Sequence, residues 1–166
     1  IEKMGGTIEV KSEEGVGSTF IIRIPFKLAS APDTVKKTAA QMDISGLNLL
    51  LVEDNELNAE IAKTLLSDEG ANLTVAEDGL QAVRMFQEKP EGYFDAILMD
   101  IMMPVMDGLT ATKTIRSLKH PDAETIPIIA MTANAFQEDA EKCIAAGMNA
   151  HLAKPLDIEK VKMTIY

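Results

Sequence analysis

"LNLLLVEDNELN", residues Leu47 to Asn58, changes character twice within one short stretch. The apolar run "LNLLLV" (47–52) reads as a buried strand, and two acids, Glu53 and Asp54, end it. Leu57, Ile61, Leu65 and Leu66 then recur at helical spacing, with Asn55 placed as an N-cap and Gly70 as a stop. A buried strand feeding a helix through a polar turn is half of a βαβ unit, so the fold depends on whether the pattern recurs.

It does. "NLTVA" (72–76) is followed by Asp78, the expected cap of a helix carrying Leu80, Val83 and Phe86. "AILM" (96–99) leads into a helix from about Gly108 to Lys119, and "IPIIAM" (126–131) into one from about Ala135 to Ala146, with Gly147 as its stop. "AHLA" (150–153) precedes a last helix marked by Ile158, Val161 and Ile165. Apolar strands alternating with helices predict a parallel sheet covered on both faces, the doubly wound α/β class.

Toward the N-terminus, "GGTIEVKSEEGVGSTFIIRIPF" alternates apolar and polar at Ile8 and Val10, and again from Thr19 to Phe26, around a Gly-containing connection. This predicts a β-hairpin within residues 1–26. Residues 27–46 are small and polar with little periodicity and read as a linker, leaving 47–166 for the α/β domain. The chain opens at Ile1 and stops inside an amphipathic pattern, so it is expected to be a segment of a longer one.

With 46% apolar residues among 166, one domain plus an appendage can build a core. A formal net charge of -10 argues against nucleic acid or an anionic membrane surface as partner, since both would repel it, and suits divalent cations. Cys143 is the only cysteine; it cannot form an internal disulfide and is expected on a helix as a small apolar residue. No apolar run approaches the ~20 residues that cross a bilayer, and "IEKMGG" carries no signal-peptide hydrophobic region. A cytoplasmic location is the expectation.

In open α/β sheets ligands bind beyond the carboxyl ends of the strands. Glu53 and Asp54 follow the first strand of the repeat, Asp100 ends the third, Thr132 follows the fourth, and Lys154 with Pro155 follows the fifth. Carboxylates gathered at one edge repel one another unless a cation neutralises them, and hard oxygen donors of this kind suit Mg²⁺. Such a cation leaves room for a phosphoryl group, toward which Lys154 offers a positive charge and Thr132 a hydroxyl. A rapidly hydrolysing aspartyl-phosphate enzyme commonly carries a second acid two residues beyond its nucleophile, and here that position is Met102. A nucleotide or flavin site would place a glycine- or hydroxyl-rich loop after the first strand, where this chain has "EDNE". The remaining reading is an aspartate that accepts a phosphoryl group and keeps it for a time.

"LLLVEDNELN", "ILMDIMMPVMDG", "IIAMTANAF" and "HLAKPL" resemble, in order and at fitting distances, the signature segments of the response-regulator receiver domain, covering roughly Leu47 to Tyr166. The resemblance implies a flavodoxin-like strand order 2-1-3-4-5 and phosphorylation of Asp100 from a histidine. It also implies direct Mg²⁺ ligation by Asp54, Asp100 and the Met102 backbone carbonyl, with Glu53 acting through water. Thr132 and Lys154 would bind the phosphoryl group, and the Lys154–Pro155 bond would be cis.

"MGGTIEVKSEEGVGSTFIIRIPF" is similar to the last two strands of the histidine-kinase ATP-binding domain. Together the two resemblances imply a hybrid sensor kinase that exchanges phosphoryl groups with a phosphohistidine and a histidine phosphotransfer protein. Nothing resembles that family's nucleotide box or its phosphorylated-histidine helix, so ATP hydrolysis is not expected of this stretch. Where the receiver family often has an aromatic switch residue this chain has His151, whose imidazole could still rotate. The expected output surface is the fourth helix, fifth strand and fifth helix of the domain. A Mg²⁺-dependent aspartyl-phosphate phosphatase and a degenerate receiver that only binds a partner remain as alternatives.

Taken singly, each residue has a plainer reading. Asp54 or Asn55 could only cap a helix, Asp100 could form a turn, and Thr132 could cap the fourth helix; their joint placement at the strand ends favours a site. Met99, Met102, Met103 and Met106 read as adaptable packing rather than soft-metal ligands. His120 and His151 are too far apart in sequence to argue for zinc.

Overall fold

The computed structural model describes residues 5–13, 15, 17–25, 42–133 and 137–166. The chain divides into two compact units, an N-terminal one holding a hairpin and a larger one holding a five-stranded sheet.

In the hairpin, β1 (Thr7–Glu13) pairs antiparallel with β2 (Gly17–Arg23). Gly15 and Gly17 lie at φ 78° and 133°, a region open to residues without a Cβ. The register sets Ile8 opposite Ile22 and Val10 opposite Phe20, so the alternation gathers four apolar side chains on one face. All four are exposed.

The larger unit runs β3 (Asn48–Val52), α1 (Glu56–Asp68), β4 (Asn72–Ala76), α2 (Gly79–Glu88), β5 (Ala96–Asp100), α3 (Gly108–Ser117), β6 (Ile128–Thr132), α4 (Gln137–Ala146), β7 (Ala150–Ala153) and α5 (Ile158–Ile165). The strands are parallel in the order β4-β3-β5-β6-β7, which is 2-1-3-4-5 in this unit's own count. Both faces of the sheet are covered, so β5 and β6 are buried at every position. Leu50, Ile97, Met99 and Ile128 pack with Phe86 of α2, Ile115 of α3 and Cys143 of α4 on one side. Leu49, Leu51, Leu98 and Ile129 pack with Leu66 of α1 and Val161 of α5 on the other.

Local chemistry ends the elements where the sequence placed the punctuation. Asn55, Asp78, Asp107 and Asp157 cap helices with their side-chain oxygens. Gly70 and Gly147 follow α1 and α4 at φ 86° and 100°. The helix expected from about Ala135 begins at Gln137; Asn134, Ala135 and Phe136 lie outside the described residues.

Two details depart from the expected reading. The face of α1 that meets the sheet is Ala59, Ala62 and Leu66, whereas Leu57, Ile61 and Leu65 are exposed. Ile44, assigned from sequence to the end of the linker, is fully buried with Leu49, Leu51 and Val161. The C-terminal end of α5 meets the same entry segment, the Tyr166 hydroxyl donating to the Asp43 carbonyl.

A half-buried guanidinium ties the lower edge together. Arg116 donates to the carbonyls of Ala123, Ile126 and Gly147 and to Asn149 Oδ1, all at 2.8–3.0 Å.

Candidate functional site

The carboxyl ends of the strands deliver polar groups to one edge, and backbone hydrogen bonds fix where each emerges. Beyond β3 the Glu53 N–H donates to the Ala76 carbonyl at 3.0 Å, extending the ladder by one residue. Asp100 and Thr132 are the last residues of β5 and β6. Beyond β7 the Lys154 N–H donates to the Thr132 carbonyl at 2.8 Å, and the Lys154–Pro155 peptide is cis. Asp100 meets α3 closely: a Cβ on Gly108 would fall 2.0 Å from the Asp100 carbonyl oxygen, so only glycine fits there.

Glu53 and Asp100 are 3% and 6% exposed, while Asp54 is exposed. One carboxylate oxygen from each of the three lies within 4.8 Å of the others. Lys154 Nζ stands between the buried pair, 2.5 Å from Glu53 Oε2 and 2.6 Å from Asp100 Oδ2. The other Asp100 oxygen, Oδ1, accepts from the Met102 N–H at 3.2 Å. Burial pulls the Lys154 ammonium toward deprotonation, but the hydrogen bonds and negative charges of Asp100 and Glu53 outweigh it and hold its pKa above the ordinary lysine value. One ammonium thus offsets part of the charge of two buried carboxylates that would otherwise be costly and leaves a net negative charge at the edge.

This donor set fits a hard divalent cation. It consists of carboxylate oxygens, and a positive group already stands between two of them. Beside it, Asn58, Asp100, Met102, Thr132 and Lys154 line one open cleft. A phosphoryl group in that cleft would meet a nucleophilic carboxylate and an ammonium at the same edge.

Of the residues singled out in the sequence, Glu53, Asp54, Asp100, Thr132 and Lys154 converge here, together with the Met102 backbone. His151 does not join them; it is exposed on β7 and lines a separate groove with Ile144 and Asn149. The methionines diverge, Met99 and Met103 entering the core while the Met102 side chain is 80% exposed. His120 hydrogen-bonds the Lys89 carbonyl and accepts from the Asp122 N–H, which leaves it a turn-stabilising role.

Sequence reasoning passed over Asn58, whose side-chain Nδ2 donates to Glu53 Oε1 at 3.0 Å. The signal was a second carboxamide one turn after Asn55, but in a first turn that reads as helix-start chemistry.

Comparison with known proteins agrees with this architecture. The response regulator receiver domain family matches residues 49–166. The aerobic respiration control sensor protein ArcB of Escherichia coli is 38% identical over 159 residues, 95% of this chain and 20% of the relative. A probable histidine kinase 1 of Oryza sativa is 34% identical over 169 residues, 84% of this chain and 17% of the relative. The chain therefore spans about a fifth of the length of these curated relatives.

Among solved structures, the receiver domain of a sensor histidine kinase from Pseudomonas aeruginosa PAO1, with a magnesium ion coordinated in its active-site cleft, is 42% identical. It covers 73% of this chain and 95% of that one, with a TM-score of 0.65. The receiver domain of Saccharomyces cerevisiae Ssk1, crystallised with the histidine phosphotransfer protein Ypd1, is 29% identical. That match has a TM-score of 0.63 and covers 74% of this chain and 88% of the other.

Proposed function

The chain belongs to the response regulator receiver domain family, and on that premise we propose that Asp100 accepts a phosphoryl group from a phosphohistidine and that this changes a partner-binding surface. The observation that carries the reading is the Lys154 ammonium held between buried Glu53 and Asp100 at the strand edge. Lysine there offsets part of the charge of the acids and faces the cleft that the phosphoryl group would enter.

A carboxylate oxygen of Asp100 attacks phosphorus in line; the new O–P bond forms as the N–P bond of the phosphoimidazole breaks, and the electron pair returns to the ring nitrogen. Lys154 places its positive charge against the transferring oxygens, and the Thr132 hydroxyl donates to one of them. Asp54, Asp100 and the Met102 carbonyl, with Glu53 through water, would hold Mg²⁺, which when bound neutralises phosphoryl charge. Engagement of Thr132 biases a pre-existing equilibrium at the face formed by α4, β7 and α5. His151 lies on that face and would take part in the switch.

The phosphoryl donor and acceptor are histidine-bearing proteins, and the likeness to a receiver crystallised with a phosphotransfer protein supports that class. Exposed Leu57, Ile61 and Leu65 on α1, with Met102 beside Asp100, give such a partner an apolar rim around an acidic centre. The parent is a hybrid histidine kinase, residues 1–26 its ATP-binding domain's last hairpin, followed by a linker that ends before Ile44 enters the core. The described helices include none long and apolar enough to cross a membrane.

Intact-mass spectrometry after incubation with acetyl phosphate tests the reading. A single phosphoryl adduct that needs Mg²⁺ and disappears in Asp100→Asn is expected. Continuous phosphate release without an adduct would instead mark a phosphatase, and neither adduct nor release would mark a binding module.

A further inference from the structure

Glu53 is almost fully buried, so each of its oxygens needs a donor. Lys154 serves Oε2 and Asn58 Nδ2 serves Oε1 at 3.0 Å. Two donors of different kinds on the two oxygens fix the rotation of the carboxylate.

Asn58 is itself held from behind. It is the third residue of α1, and its backbone N–H donates to the Asn55 cap at 3.0 Å. At this position a capping box would fold a Glu or Gln side chain back onto the cap's own N–H. Here the side chain reaches past the cap to Glu53 instead, so helix start and acidic turn form one hydrogen-bonded unit.

From this geometry we infer that Asn58 is the positioning residue for Glu53 in cation binding, an assignment that rests on the receiver reading above. A divalent cation brings its own positive charge to the acids and competes with the Lys154 ammonium for them. A neutral amide on the opposite oxygen suffers no such competition. Asn58 therefore keeps Glu53 oriented toward the cation site when Lys154 turns to the phosphoryl group. A lysine or arginine at position 58 would compete with the cation, and an aspartate would repel Glu53.

Calorimetric titration with MgCl₂ tests this on the whole chain, comparing the wild type with Asn58→Leu, which keeps the shape, and Asn58→Ser, which leaves room for water and protects the fold. Circular dichroism verifies folding of each. The Mg²⁺ Kd is expected to rise about tenfold in Asn58→Leu, the lower end for loss of a group that supports a metal site from outside its ligands, and by less in Asn58→Ser. The Mg²⁺ concentration that half-saturates acetyl phosphate labelling is expected to rise in parallel with Kd, because the change lies in cation affinity. Unchanged Kd in both folded variants, or a lower rate that saturating Mg²⁺ does not restore, overturns the assignment while leaving the receiver reading intact. Failure of the wild type to bind Mg²⁺ overturns both.

Discussion

Lys154 holds the place of a cation before any cation arrives. With its ammonium between Glu53 and Asp100, the buried acids are tolerated in the absence of metal. Its pKa is raised, so the stabilisation is complete below the ordinary lysine value of 10.5 and fades only as pH climbs through the higher native one. Lys154→Met should therefore cost about 3 kcal/mol at neutral pH in the presence of chelator, the scale for stranding buried charge. Mg²⁺ should restore more stability to Lys154→Met than it adds to the wild type; urea unfolding with and without MgCl₂ measures both, and equal metal effects would sink the stand-in account. At this scale Glu53, Asp100 and Lys154 were legible because packing alone seldom puts a charged residue directly after an apolar strand. Asn58 was not, because its partner is a side chain five positions back rather than a pattern.

Caps and alternating strands made the elements readable, and the loops between them carry the energetics of the edge. Asp107 caps α3 in the segment that follows Asp100, its Oδ1 accepting from the Thr110 N–H at 2.8 Å and its Oδ2 from the Thr110 hydroxyl at 2.9 Å. The Thr110 amide, against some opposing burial, leads in holding the carboxyl below its ordinary pKa of 3.8. The charged cap is therefore worth most above pH 3.8 and loses its advantage as pH falls through the lower native value. Asp107→Ala should cost about 1 kcal/mol at neutral pH, and denaturant titrations at pH 7 and pH 3 should show the gap narrowing; a constant gap would assign the loss to something other than the charge. Helical spacing of Leu57, Ile61, Leu65 and Leu66 marks α1 as a helix without saying which face turns inward, and of the four only Leu66 does. Small Ala59 and Ala62 let the helix backbone approach the sheet, and the larger side chains are left outside.

For the molecule as a whole, the doubly wound layout was legible because every repeat carried the same strand-to-helix signature. Docking was not, since exposure of Leu57, Ile61 and Leu65 depends on which face the alanines select. If that ridge receives a phosphohistidine partner, Leu57→Ser should slow transfer from a phosphorylated histidine phosphotransfer domain about tenfold more than it slows labelling by acetyl phosphate. Equal effects on the two rates would remove the ridge from the docking surface. The join between Asp43 and Tyr166, with Ile44 anchored beneath, has its own consequence. The segment leading into β3 is held to α5 by a hydrogen bond and a shared core contact, so a shift of α5 is felt by the backbone on which the first strand is strung.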